Sequence, residues 1–158
     1  MKALLQRVRR ASVSVGGEEI GSIGEGLVAF IGVADGDSDK DAQYLVKKII
    51  GLRIFADAQS KFNLSLQDVG GGLLLVSQFT LLADTRKGRR PSFTDAAAPG
   101  RAEELFDYFV ELSRASGLVV ATGLFQQHMQ VEIYNDGPVT IMLDSRDKFG
   151  NLSKGERT

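Results

Sequence analysis

Two short segments hold groups that could do acyl chemistry: Ser77-Gln78-Phe79-Thr80-Leu81 and Asn135-Asp136-Gly137-Pro138-Val139-Thr140. The first sets two hydroxyls and an amide at the end of an apolar run, Leu73 to Val76. Ser77 or Thr80 could serve as a nucleophile, but a hydroxyl is weak at neutral pH without a base to activate it. The neighbouring sequence offers no base, so on sequence alone these hydroxyls read first as hydrogen-bonding partners of an adjacent strand. The second segment sets Gly137-Pro138 between two strand-like stretches. Gly-Pro after Asn-Asp is an ordinary turn. It is also a place where a cis bond costs about 0.5–1 kcal/mol, little enough for a fold to hold.

Other chemical patterns fail on spacing. Asp35-Gly36-Asp37-Ser38-Asp39 starts like a calcium loop, but Lys40 and Val46 stand where such a loop needs Gly and Glu. Gly21, Gly24 and Gly26 have the wrong spacing for a dinucleotide loop, and no Gly-x-Ser-x-Gly elbow occurs. The sequence has one histidine, His128, and no cysteine, so one chain cannot build a zinc site on two histidines. No metal or cofactor is expected, and His128 reads as a surface or packing residue. Arg86-Lys87-Gly88-Arg89-Arg90 is a dense basic cluster, either a solvated loop or a contact for phosphate.

Hydrophobic periodicity predicts the elements that must position these groups. Leu4 to Val15 reads as a long strand, Glu18 to Ile23 as its return after Gly16-Gly17, and Leu27 to Val33 as a buried strand. Ser38 and Asp41 form a capping-box pair ahead of a helix with Ala42, Leu45, Val46 and Ile49 on one face, ending at Gly51. Leu52 to Phe55 is expected as a short strand, and Leu73 to Leu82 as one strand after Gly70-Gly71-Gly72. A second helix is expected over Arg101 to Ser116, with Ala102, Leu105, Phe106, Phe109 and Leu112 as its stripe. Met129 to Tyr134 and Val139 to Leu143 read as an antiparallel pair. Residues 1–143 form one domain with no repeat or linker, and the polar tail 144–158 is expected to be mobile. Strands that do not alternate regularly with helices indicate an α+β fold, or a sheet curled into a barrel with helices outside.

The two segments, together with Gln6-Arg7-Val8, Arg53-Ile54-Phe55 and Arg90-Pro91-Ser92-Phe93, resemble the signature pattern of the D-aminoacyl-tRNA deacylase family (D-Tyr-tRNA deacylase type) from Met1 to about Leu143. That resemblance implies a curved, barrel-like, mostly antiparallel sheet flanked by two or three helices, assembled as a homodimer. It implies hydrolysis of the ester between tRNA and a D-amino acid, and partial hydrolysis of glycyl-tRNA. Ser77, Gln78, Phe79 and Thr80 would position the ester and stabilise the developing oxyanion. The 2′-hydroxyl of the terminal adenosine would help activate the attacking water. Gly137-Pro138, as a cis step inserted from the other subunit, would exclude L side chains. Arg7 would brace that loop, or act as a plain strand-surface arginine. Phe125 and Met129 would pack the terminal adenine, or the core.

The bulk numbers fit these expectations. A chain of 158 residues with 43% hydrophobic residues can bury one ordinary core. Met1-Lys2-Ala3-Leu4-Leu5-Gln6-Arg7 reaches a charge too soon for a signal peptide, and no apolar run approaches the roughly 18 residues that span a bilayer. A cytoplasmic setting is expected. With Lys+Arg 19 against Asp+Glu 20, RNA binding must rest on a local patch rather than a global field. Two other functions remain open: an esterase or peptidase with Thr80 or Ser77 as nucleophile, and a non-catalytic RNA-binding module.

Overall fold

The computed structural model describes residues 1–149. It is organised by one long strand, β1 (Lys2–Val15). β2 (Glu18–Ile23) and β3 (Gly26–Gly32) return antiparallel along one edge of it. Beyond a bulge at Val13/Ser14 they keep one register, with Ala11 opposite Ile23 and Val8 opposite Gly26, so they act as one strand bent at Gly24-Glu25. After helix α1 (Asp39–Gly51), the small hairpin β4 (Phe55–Ala56) and β5 (Phe62–Leu64), and the short helix α2 (Leu66–Val69), strand β6 (Gly72–Ser77) joins β3 in parallel. Helix α3 (Pro99–Ala115) crosses over to β7 (Val120–Thr122), which lies parallel to β6. β8 (Gln130–Asp144) closes the other edge of β1. Gly21 of β2 lies against Ala121 and Thr122 of β7, which curls the sheet into a nearly closed barrel. This is the α+β, barrel-like architecture the residue pattern predicts.

The curl separates two cores. Val8, Ala11, Val13, Ile23, Val28, Leu74 and Val76 fill the inside of the barrel. The alternate residues of the same strands, such as Leu27, Ala29, Ile31, Leu73 and Leu75, face outward under α1 and α3. That two-sided burial explains the uninterrupted apolar runs of β3 and β6. α1 begins where Asp41 accepts from the Ser38 N–H at 2.8 Å. α2 has both halves of such a box, with Asp68 N–H donating to Ser65 at 3.0 Å and Ser65 N–H donating to Asp68 at 2.8 Å. α3 buries Leu105, Phe106, Phe109 and Val110 along its stripe. Among the described residues, no helix is long and apolar enough to cross a membrane.

Four expectations need correction. The strand after Gly72 stops at Ser77 and turns into a 3-10 segment, Phe79–Leu82. There the Leu81 N–H donates to the Gln78 carbonyl and the Ala83 N–H to the Thr80 carbonyl, so the backbone bonds to itself and not to a neighbouring strand; Leu82 is buried and Phe79 is 56% exposed. Met129–Tyr134 and Val139–Leu143 do not pair with each other. From Gln130 on they are two parts of β8, and both pair antiparallel with β1. The strand expected at Leu52–Phe55 is reduced to Phe55–Ala56, because Leu52 caps α1 by donating to the Lys48 carbonyl. The chain after Asp144 is not free at once: Ser145–Phe149 form a 3-10 turn, and the buried Ser145 hydroxyl donates to Asp41 at 2.7 Å. The rest of the expected tail, 150–158, lies outside the described residues.

Candidate active site

The last rung of β6 decides where the chemistry-bearing side chains go. Ser77 lies opposite Ile31, and the Gln78 N–H donates to the Ile31 carbonyl at 2.8 Å. The chain then tightens into Phe79–Leu82, with Leu81 N–H donating to Gln78 and Ala83 N–H to Thr80. The first N–H groups of a helical turn have no partner within it. Those of Phe79 and Thr80 make no hydrogen bond among the described residues. Two adjacent backbone donors are thus left available beside Ser77 and Gln78.

These residues border a cleft of about 690 Å³. Ser77, Gln78 and Phe79 form one side, Phe125 and Met129 another, and Phe93 packs edge-to-face on Phe79 with ring centroids 5.0 Å apart. Val33, Val76 and Val131 lie at its base, where Val76 and Met129 join the barrel core. Thr80 does not line the cleft; its hydroxyl accepts a hydrogen bond from the Gln78 side-chain amide and so fixes that amide's direction. Among the described residues, the cleft contains one titratable side chain, the exposed His128. Among the described residues, neither Ser77 nor Thr80 hydrogen-bonds to a base, and no group of three or more His, Asp or Glu residues is arranged to hold a metal ion. The arrangement can therefore polarise a carbonyl and fix an ester between aromatic walls, but offers no preassembled nucleophile pair. Sequence reasoning assigned no role to Phe93 or His128. Phe93 had one signal, its place in Arg90-Pro91-Ser92-Phe93.

The Gly-Pro segment lies outside this cleft, as a bulge in β8. Gln6 faces Thr140 and Val8 faces Asn135, so Arg7 alone stands opposite the four residues between them. The Asn135 side chain closes the neck: its Oδ1 accepts from the Val139 N–H at 3.0 Å and its Nδ2 donates to the Thr140 hydroxyl at 3.1 Å. Arg7 donates from Nε to the Asp136 carbonyl at 3.0 Å and from its terminal nitrogen to the Ile54 carbonyl at 2.8 Å. Its guanidinium also lies 5.3 Å from the Phe62 ring centroid. Gly137 has φ +135, a conformation open to glycine, and a Cβ there would press on Val139 and Arg7. The Gly137–Pro138 peptide is cis, and both residues are exposed.

The basic cluster occupies a separate hairpin that leaves the cleft wall. Asp84 and Ser92 exchange backbone hydrogen bonds of 2.7 and 2.9 Å, closing a loop that carries Arg86, Lys87, Arg89 and Arg90. Arg86 donates from Nε and a terminal nitrogen to the two oxygens of Asp84, at 2.9 and 2.7 Å. That guanidinium holds the Asp84 carboxyl at about 2, below the usual carboxylate range.

A family model described as D-Tyr-tRNA(Tyr) deacylase matches residues 4–144. The D-aminoacyl-tRNA deacylase of Dehalococcoides mccartyi strain 195 is 62% identical over 149 residues, covering 94% of this chain and 97% of that protein. The D-aminoacyl-tRNA deacylase of Natranaerobius thermophilus is 57% identical over 150 residues, covering 94% of this chain and all of that one. Among solved structures, one described as c-Myc DNA Unwinding Element Binding Protein aligns with a TM-score of 0.86 at 42% identity, over 91% of this chain and 98% of its own. One described as a probable eukaryotic D-amino acid tRNA deacylase shares the fold, with a TM-score of 0.77 at 21% identity, over 90% and 98%. The protein is thus an enzyme of the deacylase class, a hydrolase of carboxylic esters. It belongs to the D-Tyr-tRNA(Tyr) deacylase family.

Proposed function

We propose that this enzyme hydrolyses the ester joining a D-amino acid, or glycine, to the 3′-terminal ribose of tRNA, as a cytoplasmic homodimer and without a metal or cofactor. The observation that carries the reading is the pair of unpartnered N–H groups of Phe79 and Thr80 at the edge of an aromatic cleft that has no base beside its hydroxyls. Such donors match the charge that develops on a carbonyl oxygen under attack. Removing one donor of this kind in other hydrolases costs about 10²–10³ in rate. Phe125 and Met129 receive the terminal adenine, Ser77 and Gln78 orient the ester, and the terminal 2′-hydroxyl helps activate water. The hairpin that carries Arg86, Lys87, Arg89 and Arg90 serves the tRNA phosphates.

Chirality is read by the exposed Gly137-Pro138 loop of one subunit, entering the cleft of the second. Main chain placed there leaves no room for an L side chain of any kind. A D side chain points away, and glycine has none to exclude. Support comes from the exposure of the loop and from the Arg7 and Asn135 bonds that immobilise it.

The test is deacylation of D-Tyr-tRNA against L-Tyr-tRNA in EDTA. Rapid loss of the D ester with the L ester spared is the expected result. Loss of both would indicate a general esterase, and binding without loss of either would indicate an RNA-binding module.

A further inference from the structure

The hairpin between Asp84 and Ser92 is built differently from a solvated loop. It leaves from the 3-10 segment that carries Phe79 and returns into Phe93, so it connects two residues that wall the cleft. Two backbone hydrogen bonds fasten its base. The Asp84 carboxylate accepts from the Arg86 N–H at 3.0 Å as well as from the guanidinium. Gly88 turns the tip at φ +67, with open space around it. Four cations lie in five residues, yet Asp84 neutralises only one of them. Lys87, Arg89 and Arg90 are exposed and have no carboxylate partner among the described residues. Three exposed like charges on a short, fastened hairpin form a concentrated positive patch that complements a polyanion. The protein as a whole is slightly acidic, so the field is local to this rim of the cleft.

We propose that this hairpin is a preformed docking element for the phosphodiester backbone of the strand that carries the ester. Lys87, Arg89 and Arg90 make the contacts, and Arg86, tied to Asp84, is the strut that holds the hairpin's shape. The division deepens the deacylase reading and rests on it: the cleft reads the esterified nucleoside, and the hairpin reads the phosphates that follow it. Phosphate contacts position the strand and carry no sequence information, so they serve every tRNA alike.

The experiment compares two substrates, full-length D-Tyr-tRNA and D-tyrosyl-adenosine, which lacks a phosphate. It uses wild-type protein, the Lys87→Ala/Arg89→Ala/Arg90→Ala variant, and Arg86→Gln. Each contact to single-stranded nucleic acid contributes a salt slope of about 0.7. The triple variant is therefore expected to flatten the dependence of log KM on log salt by about 2. Its preference for tRNA over the adenosine ester, as a ratio of kcat/KM, should fall at least tenfold. Arg86→Gln should change the slope by less than about 0.7, the value of one contact, while raising KM for tRNA. An unchanged slope in the triple variant, or an equal loss on both substrates, overturns the docking element. So does a wild-type enzyme that handles both substrates with the same KM, even though deacylation itself would then stand. A wild-type enzyme that cleaves neither D ester would instead overturn the deacylase reading.

Discussion

Arg7→Ala tests whether the fixed position of the Gly-Pro loop, rather than its mere presence, sets selectivity. The Arg7 side chain is 13% exposed and bridges the Asp136 and Ile54 carbonyls at 3.0 and 2.8 Å. Hydrogen bonds from a charged group are worth about 1.5–3 kcal/mol each, and they are not additive in one side chain. Truncation also leaves the Ile54 carbonyl without its donor, in a residue only 5% exposed. Together these amount to a loss of about 3 kcal/mol, to be read from the urea midpoint. A loop released by that much can shift away from an L side chain, and each 1.4 kcal/mol of relaxed exclusion is about tenfold in rate. The ratio of D-Tyr-tRNA to L-Tyr-tRNA deacylation should therefore fall by about 10² under single turnover. Arg7→Lys keeps the charge but not the two-armed geometry, and should fall between. If stability drops as expected while the D:L ratio stays constant, the brace is structural and rigid exclusion by this loop is wrong. If neither changes, the hydrogen bonds carry no weight and the argument fails at its first step.

Thr80→Val removes the hydroxyl that accepts from Gln78 while keeping the Thr80 N–H, so kcat should drop by about tenfold rather than vanish; complete loss with binding intact would make Thr80 a nucleophile. Gly26→Ala would place a Cβ inside the Gly72 carbonyl on the first rung between β3 and β6, and should cost about 3 kcal/mol in chemical denaturation. Burial opposes the charge of Asp41, but the Ser38 N–H, the Ser145 hydroxyl and Lys148 outweigh it and hold the carboxyl at about 2, below its usual 3.8. Its stabilising effect is therefore complete above pH 3.8 and is lost as pH falls toward 2, so Asp41→Asn should flatten that part of an acid titration followed by circular dichroism.

The parts legible in the sequence were those that a local pattern specifies. β2 starts and ends where Gly16-Gly17 and the alternation indicate, and α1 begins after Ser38 because its cap and its stripe agree. The residue spacing reveals that Leu73 to Val76 is buried, but not that the run ends at Ser77. That end depends on the Gln78 N–H meeting Ile31, a residue of β3 far away in sequence. For the same reason β8 read as two strands. Nothing local shows that both halves of it share β1 as their partner, because a bulge opposite one residue has no signature of its own. At the cleft, Ser77, Gln78, Phe79, Phe125 and Met129 come together, whereas Thr80 is turned toward Gln78. Phe93 escaped because its role is fixed by the ring of Phe79 and not by its neighbours in the chain.

β1 links these features and explains why the bulge can be held so firmly. Val8 is buried inside the barrel, and Val139 is 9% exposed in the outer core, so the chain is pinned on opposite sides of the sheet around Arg7. β1 is held on its other edge by β2 and β3, so a slip of one residue between β1 and β8 would exchange the faces of β8, turning Val131 and Ile133 away from the barrel core and Val139 away from the outer one. The packing those side chains would lose, at up to about 1.5–3 kcal/mol each, locks the register without help from the loop itself. With the register locked, the extra residues of β8 have nowhere to go but outward, at the position where Arg7 and Asn135 can grip them. The loop's placement is thus a consequence of packing on both faces of one strand, and its fine position a consequence of hydrogen bonds from Arg7 and Asn135. Mutations in the first set should cost stability, whereas those in the second should cost both stability and selectivity.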